Sequence, residues 1–177
     1  MVKFSMIRKY FSGIGSRETP ESVCSAMTQI SSYLEHEGYT LRSGGADGAD
    51  LAFEQGMSED YKEIWLPWLK FNKSNSILLP TPEAFRIAAT VHPVWDRLSP
   101  AAKKLHARNC HQVLGKTLDD PSAFLLCWTP NAKITGGSAT AINLAIRYNV
   151  PVFNLATVHD ENYIDGVKDF LTIIGEI

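Results

Sequence analysis

A unit of strand, glycine turn and helix recurs three times in the sequence, and it constrains the possible fold more than any other feature. Predicted strands at 8–12, 39–42 and 123–128 are followed by glycine turns at 13–17, 44–48 and 135–138, named loop 1, loop 2 and loop 3. Apolar residues at helical spacing follow each turn. Strands that alternate with helices predict a parallel sheet with right-handed crossovers and helices on both faces. We therefore expect an α/β fold, a Rossmann-like open parallel sheet of about five strands.

The rest of the chain supplies further elements and one irregular region. Thr19 and Ser99 each precede a proline, which is typical of a helix N-cap followed by the first helical residue. The region 68–100 is rich in prolines, lysines and asparagines, and we interpret it as an irregular insertion, a loop or lid. The other predicted elements are strands at 63–66 and 150–155 and helices at 20–38, 49–54, 84–88, 100–115, 141–148 and 163–173.

Composition narrows the classes of protein to consider. A chain of 177 residues with 45% hydrophobic residues can bury one core, so we expect a single domain over 1–177. The net charge of −2 gives no general attraction for nucleic acid or an anionic membrane. Three scattered cysteines without a C-x-x-C pair indicate a reducing compartment. Residues 1–11 lack a signal-peptide core and no stretch is long enough to span a bilayer, so a cytoplasmic protein without membrane contact is expected.

The glycine turns carry the predicted chemistry. The carboxyl ends of parallel strands meet at one edge, where helix N-termini and open backbone amides favour phosphate or carboxylate groups. Three such turns at equivalent ends of one sheet predict a ligand site. The candidate ligand-binding residues are Gly13, Gly15, Ser16, Arg17, Gly44, Gly45, Ala46, Asp47, Asp50, Arg108, Asn109, Gly136, Gly137, Ser138 and Thr140.

Two common nucleotide motifs are absent from the sequence. Glu18 stands where the dinucleotide fingerprint has its third glycine, and no ribose-binding acid follows the second strand. The chain also lacks G-x-x-x-x-G-K-[ST], which disfavours an NTPase.

The order of four segments resembles the SLOG superfamily. These are FSGIGSRETP at 11–20, SGGADGAD at 43–50, HARN at 106–109 and GGSATA at 136–141. The superfamily includes the DNA-processing protein A family, the cytokinin-activating LOG phosphoribohydrolases and YpsA-like proteins. The similarity covers about 11–155, except 68–100. It implies a Rossmann-like domain that holds a nucleotide-derived ligand by its phosphate and ribose, and an oligomer of identical chains.

This sequence departs from the motif of each branch, and these differences bear on three hypotheses. In LOG enzymes a glutamate serves hydrolysis, but Asn143 stands at that position and an amide cannot exchange the proton. Arg108 matches the LOG arginine, whereas Asn109 replaces the lysine that follows it. The DNA-processing family has an R-N-R element, of which Cys110 replaces the second arginine. The resemblance therefore implies phosphate binding more directly than hydrolysis or DNA binding.

Other polar residues allow more than one interpretation. Asp50 and Glu54 lie one helical turn apart and are predicted to face one cleft, for ribose contact or as weak candidates for glycosidic acid-base catalysis. For Asp47 and Asp50, capping of the helix N-terminus is an equal alternative. His106, Cys110 and His111 do not share one helix face, so no metal is expected. An aromatic and basic track is interpreted as a loop pinned by two tryptophans rather than a single-strand platform: Trp65, Trp68, Lys70, Phe71, Lys73 and Arg86.

The leading hypothesis is a protein that binds a nucleotide or ADP-ribose-like molecule and senses or sequesters it, with no further cofactor. The alternatives are a nucleoside-phosphate N-glycosidase, which leaves open whether the chain is an enzyme, and a single-stranded DNA-binding protein, which the net charge disfavours.

Overall fold

The computed structural model describes residues 7–177, and within that range the chain forms one five-stranded parallel sheet. The strands are β1 (Lys9–Gly15), β2 (Tyr39–Ser43), β3 (Lys62–Ile64), β4 (Phe124–Trp128) and β5 (Val152–Asn154). The helices are α1 (Glu21–His36), α2 (Ala49–Gln55), α3 (Pro82–Val91), α4 (Pro100–Leu114), α5 (Ala139–Arg147) and α6 (Tyr163–Ile173). The predicted α/β class and the number of strands are confirmed.

Residues 1–6, which hold much of the segment interpreted as lacking a signal peptide, lie outside the described residues. Across residues 7–177, no helix combines the length and the apolar character needed to cross a bilayer. The organisation of 1–177 as a single domain stays a prediction.

Helices cover both faces of the sheet, as predicted. On one face α1, α2 and α6 pack around the strand residues Phe11, Leu41 and Phe124. On the other face α3, α4 and α5 pack around Leu125 and Cys127. Successive side chains of a strand point to opposite faces, so the continuous apolar run of β4 supplies both cores.

The strand order β3-β2-β1-β4-β5 determines where a ligand can bind. The chain leaves β1 for β2 and β3 on one side, then returns to build β4 and β5 on the other. The order therefore reverses between β1 and β4. In open α/β sheets the ligand crevice lies at this switch point, beyond the carboxyl ends of the strands.

One of the two predicted helix N-caps forms and the other does not. Ser99 caps α4 by accepting a hydrogen bond from the Ala102 amide at 3.2 Å, as predicted. Thr19 does not cap α1, because its hydroxyl donates to the Ser16 carbonyl at 2.6 Å instead. The helix therefore begins one residue later than predicted, at Glu21.

The region 68–100 is less irregular than predicted. Its α3 is longer than the predicted helix and contributes Ala84 and Ala88 to the core beside α4. Trp65, just before this region, is buried and stacks on His111 with ring centroids 4.2 Å apart. Trp68 is 39% exposed. The prediction that both tryptophans pin the loop is therefore correct for Trp65 and wrong for Trp68, whose side chain is not buried.

Candidate ligand-binding site

A cleft of about 480 Å³ opens at the switch point of the sheet. This volume falls in the range of about 300–1,000 Å³ that is common for small-molecule sites. All three loops and α4 contribute to its walls. The lining residues are Gly15, Ser16, Arg17, Glu18, Ala46, Asp50, Leu105, Arg108, Pro130, Thr135, Gly136 and Gly137.

Loops 1 and 2 are joined through their backbones. The Ala49 amide at the start of α2 donates to the Ser16 carbonyl at 3.2 Å. Gly48 has a φ of +78°, and a Cβ at this position would lie 2.5 Å from the Ser16 oxygen. Only glycine combines this backbone conformation with so close an approach. Gly48 therefore fixes the two loops to each other at one wall of the cleft.

Buried polar groups surround Gly44 at the floor of the cleft. Arg108 Nη1 donates to the Gly44 carbonyl, which holds the guanidinium in place. A Cβ on Gly44 would overlap the Gln112 side-chain nitrogen and Arg108 Nη1, and would lie 2.7 Å from Asp50 Oδ2. Asp50, Arg108 and Gln112 are each at most 6% exposed. Within residues 7–177 the Gln112 nitrogen has no hydrogen-bond partner.

Burial controls the charges at this floor. It raises the pKa of Asp50 from 3.8 to about 6, although the Arg108 charge and the backbone amides of Ala46 and Gly15 act in the opposite direction. Burial also lowers the pKa of Arg108, and the neighbouring Asp50 opposes that shift. Arg17, by contrast, is exposed at the rim. The cleft thus presents one exposed guanidinium at Arg17 and one buried, hydrogen-bonded guanidinium at Arg108, with a carboxyl group whose pKa is about 6.

Loop 3 forms the open side of the cleft. Gly136 and Gly137 begin a short turn before α5, where the first amides of a helical turn have no partner inside it. A Cβ on either glycine would meet nothing within 4 Å. Asn109 donates from Nδ2 to the Gly137 carbonyl at 2.7 Å and so attaches the loop to α4. These amides are accessible to an anion from solvent.

Several predicted ligand residues lie beside the cleft rather than on its walls. Gly13 lies within β1, where a Cβ would be 2.7 Å from the Phe53 ring, so this glycine serves packing against α2. Thr140 is buried and hydrogen-bonds His106 Nδ1 at 2.7 Å. Ser138 is half-buried at the end of loop 3 and does not line the cleft. Asn109 acts on loop 3 rather than on the cleft directly.

The second loop divides two cavities. Gly45 and Glu54 line a separate cavity of about 570 Å³ between α2, β3 and residues 72–78. The Glu54 carboxylate lies 3.4 Å from Lys62 Nζ on β3. The prediction that Glu54 shares a cleft with Asp50 is therefore wrong, because the Lys62 ammonium group holds it at the opposite side of loop 2. Asp47 is exposed and accepts a hydrogen bond from Asn72 at 2.9 Å.

The three α4 residues considered as metal ligands point apart. His106 bonds Thr140, Cys110 donates to the Ala84 carbonyl at 3.5 Å, and His111 stacks on Trp65. Among residues 7–177 no group of three or more His, Cys, Asp and Glu side chains is arranged to hold a metal.

Two residues of α4 near the site were not predicted. Leu105 lines the cleft, and the Gln112 side chain lies against Gly44. They lie three residues before and four residues after Arg108, so all three share one helix face. Helical spacing from Arg108 could have identified both.

Comparison with known proteins identifies a structural relative. No family model and no curated protein matches this sequence. The chain resembles a solved structure of DNA processing protein A from Helicobacter pylori, reported for the single-stranded DNA binding mode of that protein. The TM-score is 0.55 and the sequence identity 18%, over 95% of this chain and 73% of the other. The likeness shows that this chain has a fold of the DNA processing protein A type.

Proposed function

We propose that the cleft binds a nucleotide-derived small molecule, such as a nucleotide or ADP-ribose, and that the protein senses or sequesters this molecule. The observation that carries the proposal is the convergence of Arg17, Arg108 and the open amides of loop 3 on one cleft at the switch point. Guanidinium groups and helix-terminal amides are the partners that phosphate oxygens prefer.

The phosphate is assigned to the side of the cleft between loops 1 and 3. Arg17 is exposed and can close on a phosphate from the rim, whereas Arg108 is held by the Gly44 carbonyl. Gly137 supports this assignment, because nothing in the surrounding packing requires a glycine there. A missing Cβ lets the ligand approach the backbone amide closely.

The sugar is assigned to Asp50 and Ala46 on the other side of the cleft. A carboxyl group with a pKa of about 6 can accept a hydrogen bond from a ribose hydroxyl when ionised and donate one when protonated. Asp50 lies beside Arg108, which supports a ribose position next to the proposed phosphate. The ribose contact predicted from the sequence thus rests on Asp50 and not on Glu54.

Isothermal titration calorimetry with AMP, ADP-ribose and inorganic phosphate tests the proposal. We expect AMP or ADP-ribose to bind the wild type and Arg17→Ala to raise the Kd about 10- to 150-fold, because a charge-assisted hydrogen bond contributes about 1.5–3 kcal/mol. The matched control is Arg86→Ala, an exposed arginine paired with Glu83 on α3. Absence of binding, or equal losses in both variants, contradicts the proposal.

The same mixtures distinguish a binder from an N-glycosidase. Chromatography after incubation should recover every nucleotide intact if the protein only binds. Release of free base that disappears in Asp50→Asn would assign hydrolysis to the cleft, since Asp50 is the buried carboxylate on its wall.

Single-stranded DNA is a second candidate ligand, supported by the fold that the chain shares with DNA processing protein A. Fluorescence anisotropy with a labelled dT20 strand at 50 and 200 mM salt tests it. Binding through phosphates should weaken steeply between these concentrations. No binding at 50 mM salt would remove this candidate.

A further inference from the structure

An apolar groove of about 520 Å³ lies beside α4 and is unused by the site described above. Its side chains remain accessible, with Trp68 39%, Leu69 58% and Leu79 37% exposed. Exposed apolar surface of this kind marks sites for ligands or partners. The lining residues are Pro67, Trp68, Leu69, Leu79, Pro80, Phe85 and Lys104.

One aromatic ring, Phe71, lies between a residue of the groove and a residue of the cleft. Phe71 packs edge-on against Trp68 with centroids 5.3 Å apart, and the guanidinium carbon of Arg108 lies 5.7 Å from the centroid of the same ring. On α4, Lys104 lines the groove and the next residue, Leu105, lines the cleft. A molecule held at Arg108 therefore has an apolar, aromatic surface within reach.

Hydrogen bonds fix this aromatic pair relative to loop 2. Asn72 donates from Nδ2 to the Gly45 carbonyl at 3.0 Å and to Asp47 Oδ1 at 2.9 Å. The turn that carries Phe71 has left-handed φ values at Lys70 (+62°), Asn72 (+47°) and Lys73 (+61°). Such conformations in residues other than glycine persist where surrounding contacts enforce them. The groove is thus held in a set position beside the cleft.

We propose that the groove is a nucleobase subsite in which Trp68 stacks on the base of the nucleotide whose phosphate occupies the cleft. This inference rests on the proposed function. A nucleobase is flat and aromatic, and its stacking on a tryptophan tolerates different bases. Lys104 lines the groove and lies four residues before Arg108 on α4, so the two positive side chains share one helix face. This charge favours a nucleotide over an uncharged aromatic compound.

Calorimetry with AMP and ribose 5-phosphate isolates the contribution of the base. In the wild type AMP should bind about 5- to 150-fold more tightly than ribose 5-phosphate, because base stacking contributes about 1–3 kcal/mol. In Trp68→Ala this ratio should fall towards one while the ribose 5-phosphate affinity stays within about twofold. Trp68→Phe should restore most of the ratio, since it keeps an aromatic face.

The control is Tyr148→Ala, which removes an aromatic side chain of similar exposure (42%) just after α5, at the end of the helix away from loop 3. It should leave the ratio unchanged. If AMP binds the wild type and the ratio survives Trp68→Ala, the base subsite is wrong and the phosphate site stands. If neither probe binds, the proposed function itself fails. If Trp68→Ala lowers the affinity for a dT10 strand but not for AMP, the proposal is overturned in favour of a platform for single-stranded DNA.

Discussion

Loops 2 and 3 both carry adjacent glycines at the carboxyl end of the sheet, but their surroundings differ. In loop 2, a Cβ on Gly44 would overlap buried polar side chains, and one on Gly48 would lie 2.5 Å from backbone. In loop 3, a Cβ on Gly136 or Gly137 would meet nothing within 4 Å. The glycines of loop 2 allow the chain to pack closely against itself.

The open glycines of loop 3 need another explanation. Gly136 has a φ of +72°, which itself favours glycine. Gly137 is not among the residues with positive φ, so neither conformation nor packing requires glycine there. Close approach of a ligand to the backbone is the reason that we propose for this glycine. Loop 2 therefore packs the chain against itself, whereas Gly137 is proposed to serve binding.

The largest expected effect is that of Gly44→Ala. The new methyl group would displace Arg108 from the Gly44 carbonyl and crowd Gln112. Overpacking and the loss of a buried hydrogen bond together should lower the free energy of unfolding by about 3 kcal/mol. Urea denaturation followed by circular dichroism measures this change. A loss below about 1 kcal/mol would mean that loop 2 is not the packed region described.

The next largest effect is expected for Asp50→Asn, which should change the free energy of unfolding in a pH-dependent way. A carboxyl whose pKa is higher in the folded state stabilises the fold at pH values below its unfolded pKa, and this contribution is lost as pH rises through about 6. The uncharged variant should therefore match the wild type near pH 4 and exceed its unfolding free energy by roughly 1–3 kcal/mol at pH 8. Denaturation at both pH values tests this, and the same difference at both would contradict buried ionisation at the floor.

Asn109→Ala should have moderate effects on both the stability of the protein and its affinity for AMP. The variant loses the 2.7 Å hydrogen bond to the Gly137 carbonyl, which costs about 1 kcal/mol of stability because the exposed carbonyl can bond water instead. Loop 3 would lose its attachment to α4, so AMP should bind several-fold more weakly. Urea denaturation measures the change in stability, and calorimetry measures the change in AMP affinity. Unchanged affinity would separate loop 3 from the binding site.

Gly137→Ala should change stability least. Its Cβ has open space, so the free energy of unfolding should stay within about 0.5 kcal/mol of the wild type. AMP affinity should nevertheless fall, because the methyl group would occupy the space through which phosphate reaches the amide. Thermal denaturation and calorimetry on one preparation separate the effects. An unchanged affinity would remove the functional reason given for this glycine.

The sequence predicted the architecture because local signals determine it. The apolar run at 124–128, the glycine turns and the Ser99–Pro100 cap each place an element without knowledge of distant residues. The meeting of the loops then follows from the parallel strand order. The expected homo-oligomer stays a prediction.

The arrangement of side chains around the site depended on tertiary contacts and was predicted less well. Glu54 faces away from the cleft because Lys62, from β3, pairs with it. Thr19 turns back to Ser16 instead of capping α1. The groove at Trp68 depends on a turn held by Asn72 against loop 2, and no sequence spacing indicates that contact.

The most direct test of the phosphate site is a titration of ¹⁵N-labelled protein with AMP, followed by the amide resonances in two-dimensional NMR. We expect the largest shifts at the amides around the cleft, those of Arg17, Ala46, Gly136 and Gly137, with saturation at one AMP per chain. Shifts concentrated at residues 72–78 of the neighbouring cavity, or no shifts at all, would contradict the phosphate site.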